Sequence, residues 1–133
     1  MLPQLNRLKH PQDFSTVYRQ GLRQSQGSLN LRAYQRLSPG PQSPDSGVDV
    51  LLPRMSPTRF GISISQKVSK RAVIRNRIKR QIRAALRHLL PRIAPGWDVV
   101  IVVLPSAKGC NYGEFLQQLE QLLAQAEVLN GHS

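Results

Sequence analysis

The chain has 133 residues, 40% of them apolar, and 19 Lys and Arg against 7 Asp and Glu give it a net charge of +12. That length suits one domain with a core that folds without staples, and a single cysteine, Cys110, excludes an internal disulfide and cannot alone build a zinc site. The longest apolar run is the six residues 99–104, and no signal-peptide pattern opens the chain, so a soluble, cytoplasmic protein is expected.

The first predicted element is a short helix. Pro11 suits a first helical position, Phe14, Val17 and Tyr18 share a face, and Gly21 is a natural stop. Residues 29–37 alternate with period two, so Leu29, Leu31, Ala33 and Leu37 would face a core while Arg32, Tyr34 and Arg36 share the other face. Residues 38–57 are rich in proline, glycine and serine and read as a flexible loop, in which 48–52 could form a short extended piece. Alternation returns at 59–65, with Phe60, Ile62 and Ile64 inward. A long helix follows, with Ser69 as its cap and a stripe of Ile74, Ile78, Ile82, Ala85, Leu86 and Leu89 that ends at Pro91. Residues 98–104 read as a strand buried on both faces. Asn111 can cap a last helix with the stripe Phe115, Leu116, Leu119, Leu122, Leu123 and Ala126, and residues 126–133 read as a loose tail. The order αβββαβα implies a single α+β domain over 1–133: a two-layer sandwich with a small mixed sheet of about four strands and one strand–helix–strand crossover.

The charge is not spread over this scaffold. Residues 54–92 hold 12 of the 19 Lys and Arg and no acid, while the remainder carries 7 basic and 7 acidic side chains. On a helical wheel Asn76, Lys79, Arg80, Arg83 and Arg87 lie opposite the apolar stripe, flanked by Arg75 and Arg77, over a length of about 17 Å. Pairs such as Lys79/Arg83 and Arg83/Arg87 repel at (i, i+4), and a face needed only for solubility would mix its signs. Arginine outnumbers lysine 14 to 5, which favours bidentate phosphate contact. A membrane surface is the competing use of a basic amphipathic helix, but this stripe lacks Trp and Phe and is needed to cover the sheet. A DNA-reading helical module would need a second helix at turn spacing, and none is expected. A structural RNA-binding protein, such as a ribosomal one, remains an alternative. Catalysis by the polypeptide is not expected, since Asp13, Asp45, Asp49 and Asp98 are scattered, as are His10, His88 and His132.

The run from Lys70 to Arg83, with Ala72-Val73-Ile74-Arg75-Asn76-Arg77-Ile78-Lys79-Arg80 at its centre, resembles the signature helix of the protein component of bacterial ribonuclease P. The N-terminal pieces Asn6-Arg7-Leu8-Lys9, Asp13-Phe14 and Val17-Tyr18-Arg19-Gln20-Gly21 are similar to that family's first helix. The resemblance implies a left-handed crossover, although right-handed ones are the rule. It implies a subunit that joins a catalytic RNA and grips the single-stranded 5′ leader of precursor tRNA, an endonuclease whose active site and magnesium lie in the RNA. No cofactor bound by the protein alone, no membrane and no stable protein partner are then expected. The basic helix would bind RNA through Lys67, Lys70, Arg71, Arg75, Asn76, Arg77, Lys79, Arg80, Arg83 and Arg87. The leader cleft would be formed by Phe14, Tyr18, Arg32, Tyr34 and Arg36. Residues 38–57 are longer and richer in proline than the family's usual connection, and Ser69-Lys70-Arg71 stands where a glycine is common.

Overall fold

A computed structural model describes residue 3 and residues 6–36 and 57–129. The first helix, α1 (Pro11–Gln20), has proline in its first turn and ends at Gly21. Gly21 has an ordinary φ of −78°, so it is not a left-handed stop. An added Cβ would lie 2.5 Å from the Val17 carbonyl oxygen and 2.8 Å from that of Ala33. The glycine lets the end of the helix press against the sheet.

Four strands form that sheet: β1 (Leu22–Gln26), β2 (Leu29–Gln35), β3 (Arg59–Ser63) and β4 (Trp97–Val103), in the spatial order β1-β2-β4-β3. β1–β2 and β2–β4 are antiparallel, whereas β3–β4 is parallel and spans the basic helix α2 (Ala72–Leu89). The mixed α+β sheet and the element order match expectation, but β1 was not anticipated and the extended piece at 48–52 lies outside the described residues. β1 carries one apolar residue and follows β2's register through a two-residue loop. Gly27 takes φ +59° at the first loop position, as a II′-like hairpin turn requires.

The main core lies on one face. Leu29, Leu31, Ala33, Phe60, Val99, Ile101 and Val103 of the sheet pack with Ile78, Ile82, Ala85, Leu86 and Leu89 of α2. Phe115, Leu119, Leu122 and Leu123 of α3 (Tyr112–Gln125) complete it. β4 is buried along almost its whole length, as its continuous apolar run predicts. The other face holds a smaller cluster of Leu8, Val17 and Val100 with Phe14, Tyr34 and Val102 packed against it, so α1 covers only part of the sheet there.

Two helix ends differ from expectation. Ser69 does not cap α2: Arg71 occupies the cap position without a side-chain hydrogen bond, while Ser69 Oγ accepts the Arg71 N–H at 3.2 Å. The C-terminus is not loose from residue 126. Ala126, Val128 and Leu129 are buried, and Leu129 bridges to Ile93. The chain reverses through Glu127 at φ 63°, with the Val128 N–H donating to the Leu123 carbonyl at 2.8 Å. Val128 and Leu129 are apolar, and burying them repays a left-handed residue that is not glycine. By contrast α3 begins as predicted: Asn111 Oδ1 accepts the Glu114 N–H at 2.9 Å, and Glu114 Oε1 accepts the Asn111 N–H at 3.1 Å. No described helix is long and apolar enough to cross a membrane.

Candidate nucleic-acid interface

Helix α2 docks by its apolar stripe, and that docking decides which cations face outward. Asn76, Arg77, Arg80 and Arg87 are exposed, while Arg75, Lys79 and Arg83 are half-buried, so the open face is turned toward Arg77 and away from the Lys79–Arg83 side that the helical wheel had centred. Lys67, Lys70 and Arg71 are exposed in the turn that leads into the helix. Arg75 donates to the Ser69 carbonyl at 2.8 Å and so steadies that turn. Among the described residues no ion pair involves Lys70, Arg71, Arg75, Arg77, Lys79, Arg80 or Arg83. This face therefore keeps the positive field that its composition predicts.

Arg83 joins the helix to the rest of the site. It lines a pocket of about 260 Å³ together with Arg7, Lys9, Phe14, Phe60 and Gly61. Burial, and then the charge of Arg7, lower the Arg83 pKa from its ordinary value. Arg7 reaches this place because its segment bridges β3 in parallel, with the Leu8 N–H donating to the Phe60 carbonyl at 2.8 Å. Neither Arg7 nor Lys9 was a sequence candidate; only the pairing of the N-terminal segment with β3 brings them to α2.

Of the five cleft residues, four gather at α1. The Phe14 ring lies over Gly61, where a Cβ would come within 2.4 Å of its Cζ, so a close approach requires glycine. Phe14 and Tyr34 are partly buried and pack with Val17 and Val100, which gives both a structural role as well. Tyr18 is 36% exposed. The Arg32 guanidinium lies 4.8 Å from the Tyr18 ring centroid and donates to the Tyr18 carbonyl at 3.4 Å.

Arg36 parts from the others. It pairs with the buried Asp98 and donates to the Trp97 carbonyl at 3.0 Å and to the Pro57 carbonyl at 2.8 Å. Arg36, expected to share the cleft with Arg32 and Tyr34, is thus also tied into the scaffold by a carboxylate on β4. Asp98 also receives Arg59, Nε to Oδ1 at 2.9 Å and Nη2 to Oδ2 at 2.8 Å, and Arg59 reaches Asp13 of α1 at 3.4 Å. The hydrogen bonding to Asp98 raises the Arg59 pKa, against the effect of burial, and the charges of Asp98 and Asp13 add to it. No sequence signal links these four residues, which lie on different elements.

An acid-poor cationic helix beside an aromatic-edged groove can hold a polyanion and stack bases. Among the described residues no group of three His, Cys, Asp or Glu could hold a metal ion.

A family model described as ribonuclease P matches residues 2–127. The chain belongs to the ribonuclease P protein family. It is 54% identical over 132 residues to a ribonuclease P protein component from Cyanothece sp., covering 99% of this chain and 100% of that one. It is 51% identical over 138 residues to the ribonuclease P protein component of Nostoc sp., covering 99% of each. Among solved structures, the Staphylococcus aureus RNase P protein superposes with a TM-score of 0.73 at 25% identity, over 94% of this chain and 98% of that one. The Thermotoga maritima RNase P protein shares the fold, with a TM-score of 0.70 at 20% identity over 90% of this chain and 96% of that one.

Proposed function

We propose that this chain is the protein subunit of a cytoplasmic ribonuclease P, which assembles with a catalytic RNA and promotes removal of the 5′ leader from precursor tRNA. The observation that carries this reading is the acid-free cationic face of α2, set beside the aromatic-edged groove of α1 in a member of this family. In this reading Lys67, Lys70, Arg71, Arg75, Asn76, Arg77, Lys79, Arg80, Arg83 and Arg87 meet RNA. Phe14, Tyr18, Arg32 and Tyr34 hold single-stranded leader by stacking and charge, each stacked base contributing about 1–3 kcal/mol. Arg36 acts behind them by fixing the end of β2.

Cleavage is assigned to the RNA and its magnesium. What the chain supplies is grip and orientation, which raise substrate affinity at limiting magnesium. The test is cleavage of precursor tRNA by the cognate RNA with and without this protein. The protein alone should not cleave, and its addition should lower both KM and the magnesium requirement. If neither quantity moves, the subunit reading fails. The alternative of a purely structural RNA-binding protein would then be favoured by affinity that ignores both the leader and Tyr34→Ala.

A further inference from the structure

The register of the hairpin sets Arg23 of β1 directly opposite Arg32 of β2. Side chains of opposed residues share a sheet face with their Cβ atoms about 4.5–5.5 Å apart, and like charges so placed destabilise the pair. A hairpin selected for stability alone would carry an acid or a neutral residue at one of these positions. Neither arginine forms an ion pair among the described residues. Asp98, the acid on this face of the sheet, is taken by Arg36 and Arg59. Arg19, in the last turn of α1, adds a third cation nearby in the chain.

Part of this arrangement has a structural reason. Arg32 stacks on Tyr18 and donates to its carbonyl, which helps complete the end of α1. That accounts for Arg32 and leaves Arg23 unexplained: it is exposed and, among the described residues, without a hydrogen bond or ion pair. The scaffold thus holds one guanidinium in place and sets a second, uncommitted one across from it. In the next row Ser25 lies opposite Asn30, which continues the strip with neutral hydrogen-bonding groups.

We propose that Arg23 and Arg32 form a second phosphate-binding site, on the β1–β2 hairpin and separate from α2, which holds the backbone of a single RNA strand whose adjacent base rests on Tyr18. The sheet order puts this hairpin at the opposite edge from β3, where the Arg83 pocket opens. Three strand spacings amount to about 14 Å, so the two cationic sites bracket α1. A strand following that helix meets a phosphate contact at each end. The chemistry, a phosphodiester on paired guanidiniums, follows from the hairpin alone; the identity of the strand as tRNA leader rests on the function proposed above.

The test uses the full chain and a labelled single-stranded RNA of about 12 nucleotides, with affinity measured against KCl concentration. Arg23→Gln and Arg32→Gln should each lower the slope of log affinity against log salt by about 0.7. Arg92→Gln, which removes a cation paired with Glu120, should leave the slope unchanged. Arg23→Gln should also melt at the same temperature as the parent or higher, because it removes a like-charge opposition; a purely structural arginine would melt lower. An unchanged slope for Arg23→Gln overturns the site, as does a lowered melting temperature without a change of slope. With the assembled ribonucleoprotein, a loss that grows with leader length places the bound strand in the leader, and an equal loss on all substrates places it in the catalytic RNA. Either result supports the phosphate site. If the parent protein fails to lower KM, the subunit reading falls while the slope measurement still decides this proposal.

Discussion

Asp98→Asn is the most informative single change in the scaffold, because one carboxylate holds two cations from distant parts of the chain. Asp98 is 4% exposed and receives a bidentate Arg59 together with Arg36. Asparagine keeps the volume but removes the charge and turns one acceptor into a donor facing a guanidinium. Loss of a fully buried partner costs about 3–5 kcal/mol. Here the Arg36 and Arg59 side chains are 19% and 29% exposed, so water recovers part of their hydration, and about 2–3 kcal/mol is expected. Against a total of about 5–15 kcal/mol for a domain, that is a large fraction. Urea unfolding followed by circular dichroism should show a lower midpoint at unchanged m-value. Arg36→Met, which leaves the bidentate pair intact, should cost less. A loss below about 0.5 kcal/mol for Asp98→Asn, the range of an ordinary surface change, would refute the view that this carboxylate anchors the sheet.

Other outcomes follow from single contacts. Gly61→Ala places a methyl group against the Phe14 ring; a loss of about 1–3 kcal/mol in thermal stability, with weaker binding of leader-bearing RNA, is expected, and no change in either would mean that α1 is not seated by this contact. Glu127→Gly relieves a left-handed residue and should stabilise the chain by about 1 kcal/mol in the same urea assay. Asn111→Ala removes the side-chain half of the α3 capping box, the acceptor for the Glu114 N–H, and should cost about 1 kcal/mol; a neutral result would mean that the helix end is held by packing and by the remaining Glu114 bond to the backbone. Arg80→Ala should reduce the salt slope for binding the catalytic RNA by about 1 without shifting the melting temperature.

What could be read from the sequence was what local periodicity writes down. The stripe from Ile74 to Leu89, the Asn111 cap and the doubly buried β4 each depend on residues within a few positions of one another, and each stands where the pattern put it. β1 was missed because Leu22-Arg23-Gln24-Ser25-Gln26 has almost no apolar alternation; its strand character comes from pairing with β2, and Gly27-Ser28 was the available turn signal. The place of Arg36 depends on Asp98, 62 residues away, and that of Arg7 on a bridge to Phe60. Neither separation leaves a trace in local composition. The polar face of α2 was legible since docking of the opposite stripe dictates it, whereas the groove depends on how α1 lies across the sheet.

The contact between Arg36 and the Pro57 carbonyl has a use for anyone who wishes to engineer this chain. It ties residue 36 to residue 57 directly, so the described chain on either side of residues 37–56 is fixed by its own hydrogen bond. Doubling the length of such a connection adds only about 0.6 kcal/mol of closure entropy. A reporter domain or an affinity handle spliced in there would leave the register of β2, β3 and β4 to the ties that already set it.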